Sequence, residues 1–228
     1  MITSCCSIII RRRIEIYFKL LMNYNTVIIA DGTFPTHEIP LGYIRDAERI
    51  ICCDGSTRNL VDFGKEPEAI VGDMDSLDDD LAKRFGDRLF ADDSQESNDL
   101  TKAVNWCATR NYSDIVIVGA TGKREDHTIG NISLLAEYAG YVNVMMVTDT
   151  GILRPYSESP EIATFPGQQV SLFSIDPETE ITSKGLKYPL RKAKIKNWWV
   201  ATLNEAVSDS FTLEFASGKV IVYLKFRE

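Results

Sequence analysis

Short apolar runs recur along the chain from about residue 25, and most of them end in an acidic or glycine-containing turn. Six such runs lie in the first two thirds of the chain, at 27–30, 50–53, 69–71, 89–91, 115–118 and 144–147. Runs that are apolar at successive positions are typical of strands covered on both faces, as in a parallel sheet. The pattern therefore predicts a mostly parallel sheet.

Helical periodicity fills several of the intervals between these runs, at 77–85, 99–109 and 127–139. In the second of these segments Leu100, Val104 and Cys107 share one side of the predicted helix. Alternating strands and helices predict an α/β domain with a doubly wound, Rossmann-like sheet. We place this domain at residues 22–156.

The pattern changes after about Tyr156, where helical periodicity stops and turn-separated strand patterns begin. Strands are predicted at 169–175, 180–183, 198–203, 211–215 and 219–226. Phe211, Leu213 and Phe215 alternate with polar residues, and the segment 216–219 is typical of a hairpin turn. We predict a smaller antiparallel β-sandwich domain over residues 157–228.

Composition and charge narrow the class of ligand. The chain has 228 residues, of which 44% are hydrophobic and 25% charged, as in ordinary globular proteins. Its net charge of -8 offers no basic surface for nucleic acid or an anionic membrane, so a phosphate-bearing ligand requires local cations or a metal. We expect a small-molecule ligand.

The N-terminal segment and the cysteines predict a cytoplasmic protein. The apolar run within residues 1–21 is too short for a signal peptide or a membrane span, so we expect this segment to be a dispensable, disordered extension. The five cysteines lack metal-binding spacing, and we expect reduced, buried thiols.

The segment from Val71 to Ser76 carries two carboxylates, Asp73 and Asp75, directly after an apolar run. Carboxylates so close repel each other, and a bridging Mg²⁺ explains their proximity. In an open parallel sheet the ligand crevice lies beyond the carboxyl ends of the strands, so Asp54 can converge with this pair. The alternative is that each aspartate only caps a helix or shapes a turn.

Two further segments are candidates for binding phosphate. Asp99 and Lys102 lie on one face of a predicted helix, either as a local ion pair beside a helix cap or as groups that meet a metal and a phosphate. The glycine-rich segment 119–127 joins a strand to a helix and offers backbone N–H groups to an anion, although it matches neither the Walker A order nor the GxGxxG pattern. For His127, a structural hydrogen bond is the favoured role.

In the β domain, Ser183 precedes a glycine-containing segment and is followed by Trp198 and Trp199. Such residues ordinarily belong to the core or the turns of a sandwich. A serine with a nearby aromatic ring can equally face a flat cationic ligand.

Taken in order, these motifs resemble the thiamine pyrophosphokinase family over nearly everything after Met22. The matching motifs are Asp54-Gly55 with Asn59-Leu60, Val71-Gly72-Asp73-Met74-Asp75-Ser76, Asp99 with Lys102-Ala103, Gly119-Ala120 with Gly122, Arg124, Asp126-His127 and Gly130-Asn131, and Gly185-Leu186-Lys187-Tyr188-Pro189-Leu190. The resemblance implies transfer of the pyrophosphoryl group of ATP to the hydroxyethyl oxygen of thiamine, which yields thiamine diphosphate and AMP. It also implies a homodimer whose sites lie between the α/β domain of one subunit and the β domain of the other.

The resemblance assigns roles that agree with the needs of phosphoryl transfer, which are positioning and charge neutralisation. The residues expected to hold Mg²⁺ are Asp73, Asp75 and Asp99, with Asp54 and Asp126 completing an acidic cleft. The residues expected to bind ATP are Gln95, Lys102, Gly119, Gly122, Arg124 and Asn131. The residues expected to bind thiamine are Ser183 and either Trp198 or Trp199. Asp75 is the first candidate for the group that orients or deprotonates the thiamine hydroxyl.

The chain departs from the family pattern at two places. Ser56 and Thr57 stand where a glycine and an alanine are expected, and Leu203 stands where a serine is expected before Asn204-Glu205. Three alternatives to thiamine pyrophosphokinase activity remain at this stage. They are a pyrophosphokinase acting on a pterin alcohol, a phosphatase of the haloacid dehalogenase type with Asp73 as nucleophile, and a non-catalytic nucleotide sensor.

Overall fold

The protein is described from a computed structural model that covers residues 24–227. The segment predicted to be an N-terminal extension, residues 1–21, lies outside the described residues. The described helices are α1 (Glu38–Asp46), α2 (Thr57–Asp62), α3 (Asp79–Arg84), α4 (Asp99–Thr109) and α5 (Glu125–Tyr138), with 3₁₀ turns at Asp54–Ser56 and Gly86–Arg88. No helix within this range is both long and apolar enough to cross a membrane.

Fourteen strands are present in the described part of the chain. They are β1 (Thr26–Ile29), β2 (Arg49–Cys53), β3 (Ala69–Gly72), β4 (Leu89–Ala91), β5 (Asp114–Val118), β6 (Asn143–Val147), β7 (Gly151–Tyr156), β8 (Glu161–Ala163), β9 (Gln169–Ser174), β10 (Glu180–Lys184), β11 (Ala193–Lys194), β12 (Asn204–Glu205), β13 (Ser210–Glu214) and β14 (Val220–Lys225). They form a ten-stranded sheet in the order β12-β9-β14-β7-β6-β5-β1-β2-β3-β4 and a four-stranded sheet in the order β11-β10-β13-β8.

The six strands from β1 to β6 pair in parallel and are covered on both faces. On one face Ile28 and Ile117 pack with residues of α4 and α5, including Val104 and Leu135. On the opposite face the apolar side chains of α1, α2 and α3 pack against residues such as Ile29. The doubly wound, mostly parallel α/β architecture predicted from the continuous apolar runs is confirmed.

The large sheet continues without interruption into the antiparallel part of the chain. Strand β7 pairs antiparallel with β6 and with β14, and β14 pairs with β9. The four-stranded sheet packs against this end of the large sheet through a core that includes Leu172, Val222 and Phe211. The antiparallel sandwich is confirmed, and one of its two sheets belongs to the same sheet as the parallel strands. The boundary between residues 156 and 157 stays a prediction.

The predicted strand at 198–203 is wrong, because this segment forms consecutive turns. Val200 N donates to Asn197 O at 3.0 Å and Thr202 N donates to Trp199 O at 3.3 Å. These local bonds use N–H groups that a strand would have paired with a neighbour, while Ala201 O accepts from Leu172 N of β9 at 2.9 Å. Strand β12 begins only at Asn204.

Helix α1 was not predicted from the sequence, and its composition explains why. It contains Pro40 and Gly42, both poor helix formers. The helix is stabilised instead by its surroundings: Asp149 accepts hydrogen bonds from the backbone N–H groups of Thr36 and His37 at 3.0 and 3.1 Å, just before the helix begins. Tertiary contacts therefore override a weak local preference.

Candidate active site

Three carboxylates converge at the carboxyl ends of β2 and β3. Asp54 follows β2, Asp73 and Asp75 follow β3, and one oxygen from each lies within 4.8 Å of the others. Asp54 is buried and accepts hydrogen bonds from the N–H groups of Gly55 at 2.8 Å and Ser76 at 3.4 Å. We call these three aspartates the acidic cluster. Their mutual repulsion favours a divalent cation between them.

The backbone after β3 is shaped to bring these carboxylates together. A Cβ atom on Gly72 would lie 2.8 Å from Cγ of Asp54, so the glycine makes room for the buried carboxylate. Met74 adopts φ 68°, a left-handed conformation that is uncommon for a residue with a side chain. Within this turn Asp75 N donates to Oδ1 of Asp73 at 3.3 Å. The turn thus presents two carboxylates, separated by Met74, beside Asp54.

Asp54 and Asp73, two members of the acidic cluster, differ in proton affinity. Burial raises the pKa of Asp54, aided by the nearby charges of Asp99 and Asp73 and opposed by the hydrogen bond from Gly55. The backbone N–H of Asp75 lowers the pKa of Asp73. A bound cation would favour the ionised form of Asp54 and so oppose the effect of burial on its pKa.

Asp99 lies outside the acidic cluster and is paired with a buried lysine. Its Oδ1 accepts a hydrogen bond from Nζ of Lys102 at 3.1 Å, and the lysine side chain is only 3% exposed. Burial opposes the charge of this ammonium, but the hydrogen bond to Asp99 and the charges of Asp73 and Asp92 raise the pKa of Lys102. Asp99 therefore sits beside the cluster as the partner of a cation.

A cavity of about 290 Å³ opens above these strand ends, and we call it the polar cavity. Its charged lining residues are Asp31, Asp54, Asp99, Lys123 and Arg124, and His127 also lines it. Asp31 was not singled out from the sequence as a site residue, although it follows β1 as Asp54 follows β2. Its carboxylate accepts from Nζ of Lys123 at 2.7 Å. The cavity thus combines carboxylates with cations.

The glycine-rich segment forms one wall of the polar cavity. Gly119 and Gly122 have φ angles of 65° and 92°, which favour glycine. A Cβ atom at Gly119 would lie 2.9 Å from the carbonyl oxygen of Ala30. Gly32 N donates to Gly119 O at 2.6 Å, so the turn packs tightly against the loop after β1.

Arg124 lines the polar cavity, whereas Asp126 does not. Nε of Arg124 donates to Oδ1 of Asp126 at 3.0 Å, and both side chains are exposed. This ion pair lowers the pKa of Asp126 to about 2. Asp126 is thus paired with Arg124 rather than grouped with the acidic cluster, which differs from the cleft position expected from the resemblance.

A second and larger cavity, of about 850 Å³, adjoins the glycine-rich segment, and we call it the apolar cavity. One wall comes from the α/β part through residues such as Thr33, Gly122 and Ile132, and another comes from β9, β14 and the loop before β12. The second wall includes Phe173, Leu203 and Tyr223. Thr121 lines both cavities, so the glycine-rich segment separates them.

The chain matches two family descriptions in the order of its two architectures. Residues 42–156 match "Thiamin pyrophosphokinase, catalytic domain", and residues 151–223 match "Thiamin pyrophosphokinase, substrate-binding domain". The chain belongs to the thiamine pyrophosphokinase family. The two matches overlap at β7, the strand through which the parallel sheet passes into the antiparallel one.

Individual relatives agree with this assignment. The thiamine pyrophosphokinase of Bacillus subtilis (strain 168) is 29% identical over 215 residues, which cover 86% of this chain and 95% of that protein. The crystal structure of thiamin pyrophosphokinase from Geobacillus thermodenitrificans superposes with a TM-score of 0.73 at 25% identity, covering 89% of this chain and 98% of that chain. A thiamin pyrophosphokinase family protein from Enterococcus faecalis shares the fold, with a TM-score of 0.75 at 19% identity over 90% of this chain and 100% of that chain.

Two residues that the resemblance to thiamine pyrophosphokinase assigned to ATP, Asn131 and Gln95, differ in their position relative to the polar cavity. Asn131 is buried and lines the polar cavity, but its Nδ2 donates to Ala120 O at 2.9 Å and its Oδ1 accepts from Asn98 at 3.2 Å. Gln95 is exposed and lines neither the polar nor the apolar cavity; its Nε2 lies 3.5 Å from Asp93 O. The ATP role of both residues stays a prediction.

The three residues assigned to thiamine line neither of the two cavities. Ser183 is buried, and its Oγ accepts from Leu190 N at 2.8 Å, which favours the structural role that its sequence context left open. The Trp198 indole donates to Ser174 O at 3.1 Å, while Trp199 is 76% exposed. In this member of the thiamine pyrophosphokinase family, the predicted thiamine-binding groups of the chain are therefore separate from its polar cavity.

Proposed function

We propose that this protein transfers the β,γ-pyrophosphoryl group of ATP to the hydroxyethyl oxygen of thiamine, which yields thiamine diphosphate and AMP. The observation that carries the proposal is the position of the acidic cluster beside a cavity lined with cations, in a chain of this family. Phosphoryl transfer requires positioning of the nucleophile and neutralisation of charge on the polyphosphate. The polar cavity supplies groups for the second requirement.

The acidic cluster is suited to Mg²⁺. All of its potential ligands are carboxylate oxygens, which hard divalent cations prefer, and the buried Asp54 has no cationic side chain bonded to it in the described structure. We assign the direct contacts to Asp54, Asp73 and Asp75. Asp99 is then a neighbouring carboxylate rather than the third ligand. When bound there, Mg²⁺ would neutralise charge on the ATP phosphates.

We assign contacts with the phosphate oxygens to three cations. Lys102 is fixed by burial and by Asp99, whereas Lys123 and Arg124 are held by exposed ion pairs with Asp31 and Asp126. Exposed pairs of this kind contribute little to stability, so they can exchange a carboxylate for a phosphate at low cost. Asp75, the exposed member of the acidic cluster, is our candidate for the group that orients the thiamine hydroxyl.

We propose that a second copy of the chain supplies the thiamine side of each site. The turns at 198–203 expose Trp199 and Leu203, which are 76% and 75% accessible, together with Val200. Large apolar side chains grouped in this way are typical of an interaction surface. A symmetric homodimer would place this segment of one subunit against the α/β part of the other.

Complementation between two defective variants tests this arrangement. Asp73→Asn and Trp199→Ala are each expected to be inactive, because each removes one side of every site. After the two are unfolded together and refolded, mixed dimers contain one site that is intact on both sides, so roughly a quarter of the wild-type activity should return. A mixture of Asp73→Asn with Asp54→Asn is the control and should stay inactive. A monomeric mass in solution, or no recovery in the first mixture, would contradict the proposal.

The reaction itself is tested by mass-spectrometric detection of thiamine diphosphate and AMP from thiamine, ATP and Mg²⁺. Both products should accumulate in equal amounts. Product from a pterin alcohol but not from thiamine would identify the substrate variant, and a covalent phosphate on Asp73 would indicate the phosphatase chemistry. Absence of AMP with every alcohol would support a nucleotide sensor.

We also infer a reducing, cytoplasmic environment. Cys52, Cys53 and Cys107 are buried free thiols, as expected from the absence of metal-binding spacing. Burial raises the pKa of Cys52 and Cys107 to about 12, so these thiols are unreactive at neutral pH.

A further inference from the structure

A chain of hydrogen bonds between side chains connects the N-terminus of α4 with the glycine-rich segment. Nδ2 of Asn98 donates to Oδ1 of Asn131 at 3.2 Å, and Nδ2 of Asn131 donates to Ala120 O at 2.9 Å. At the other end, Oδ1 of Asn98 accepts from both the backbone N–H and the hydroxyl of Thr101, at 2.9 and 2.8 Å. Thr101 in turn contacts the hydroxyl of the fully buried Tyr138 at 2.6 Å.

Each bond in this chain of hydrogen bonds has only one possible donor. Ala120 O can only accept, so it must face the amide nitrogen of Asn131, which turns Oδ1 of Asn131 toward Asn98. The N–H of Thr101 can only donate, so it must face Oδ1 of Asn98, which turns Nδ2 of Asn98 toward Asn131. Because the Thr101 hydroxyl donates to Asn98, the proton between Thr101 and Tyr138 comes from the tyrosine. Neither amide can flip without losing a bond.

The chain of bonds orients a peptide group in the wall of the polar cavity. Ala120 and Thr121 both line this cavity, and the peptide bond that joins them contains the Ala120 carbonyl and the Thr121 N–H. The Ala120 carbonyl is directed at Asn131. In a planar trans peptide the N–H points opposite to the C=O. The N–H of Thr121 therefore points away from Asn131, and it donates no backbone hydrogen bond within residues 24–227.

We propose that Asn98 and Asn131 are positioning residues, which hold the Ala120–Thr121 peptide so that the Thr121 N–H is presented to a phosphate oxygen of ATP. The same bonds fix the start of α4, and with it Asp99 and Lys102, relative to the glycine-rich segment. This inference rests on the proposed function only in taking ATP as the ligand. It gives Asn131 a role through the backbone in place of direct contact with the nucleotide.

The variant Asn98→Ser separates this role from helix capping. Serine is as good an N-cap as asparagine and keeps an acceptor for Thr101 N, but it has no amide N–H for Asn131. Asn105→Ser is the matched control, since Asn105 is an exposed residue of the same helix whose Oδ1 accepts only from the Tyr141 hydroxyl. Asn131→Ala and the double variant Asn98→Ser with Asn131→Ala complete the set.

The primary measurement is the Kd for ATP in the presence of Mg²⁺, by calorimetry, with kcat and the KM for thiamine as second readouts. We expect Asn98→Ser and Asn131→Ala each to weaken ATP binding about tenfold and to lower kcat, with KM for thiamine unchanged. The double variant should be no weaker than the worse single variant, because both substitutions break one chain of bonds. Asn105→Ser should match wild type.

The proposal is overturned if Asn98→Ser binds ATP within twofold of wild type, if the two effects multiply, or if Asn105→Ser shows the same loss. If Asn131→Ala does not fold, the comparison of Asn98→Ser with Asn105→Ser decides by itself. A wild-type protein that binds ATP but forms no thiamine diphosphate would contradict the proposed function and leave this measurement intact.

Discussion

Replacing Asp73 with asparagine is expected to lower thiamine diphosphate formation by at least about 100-fold while leaving the fold intact. Asparagine keeps the size of the side chain but removes the negative charge and one of the oxygen ligands available to a cation. The remaining carboxylates, Asp54 and Asp75, would bind Mg²⁺ more weakly, so activity should also require a higher Mg²⁺ concentration. Steady-state kinetics over a Mg²⁺ titration measures both effects.

The stability of this variant should change little, because two effects oppose each other in the metal-free protein. Loss of one charge relieves repulsion among carboxylate oxygens that lie within 4.8 Å of one another, whereas the hydrogen bond from Asp75 N favours the ionised form of Asp73. Its free energy of unfolding without Mg²⁺ should therefore stay close to that of wild type. Asp78→Asn is the control, because Asp78 is an exposed aspartate paired with Arg58 and lies outside the cluster. Unchanged product formation in Asp73→Asn would show that the metal assignment is wrong.

The second large effect is expected from Gly72→Ala, a change of one methyl group. The new Cβ atom would lie 2.8 Å from Cγ of Asp54 and 3.0 Å from its Oδ1. Asp54 cannot move away easily, since it is buried and its Oδ1 is held by Gly55 N at 2.8 Å. We expect a loss of about 1–3 kcal/mol in the free energy of unfolding from this overpacking. Displacement of the carboxylate should also lower kcat at least about tenfold.

Gly42→Ala supplies the matched control for this substitution. Gly42 lies inside α1, and a Cβ atom there would have no neighbour within 4 Å. Alanine in a helix interior is favoured over glycine by up to about 1 kcal/mol, so this variant should be slightly more stable and fully active. Denaturant unfolding and steady-state kinetics compare the two variants. Equal behaviour of Gly72→Ala and Gly42→Ala would contradict the close approach of Asp54 to β3.

The convergence of Asp54 with Asp73 and Asp75 was predictable because it depends on topology alone. Strands β2 and β3 are parallel neighbours, so the residues that follow them meet at one edge of the sheet. Which third carboxylate joins Asp73 and Asp75 was harder to predict. Asp54 and Asp99 both face the polar cavity, and only the side-chain contacts, a hydrogen bond from Lys102 in the case of Asp99, distinguish them.

Other properties of the site depend on long-range packing that local patterns do not carry. The apolar segment 198–203 has the composition of a strand, but Val200 N and Thr202 N are bonded within turns, and Trp199 and Leu203 are exposed. Ser183 is a polar residue, but its position in β10 buries it, and its hydroxyl accepts a hydrogen bond from Leu190 N. The pairing of β7 with β14 joins residues that are far apart in the chain, so the continuity of the large sheet had no local signal.

That continuity limits how the enzyme can move during its reaction cycle. Hydrogen bonds run from strand to strand across β6, β7 and β14, so no flexible linker separates the parallel from the antiparallel part of the sheet. Rotation of one half against the other would break these ladders. The walls of the apolar cavity therefore keep a constant separation, and we expect substrate entry and product release to depend on loop movements rather than on the hinged closure of two-domain kinases.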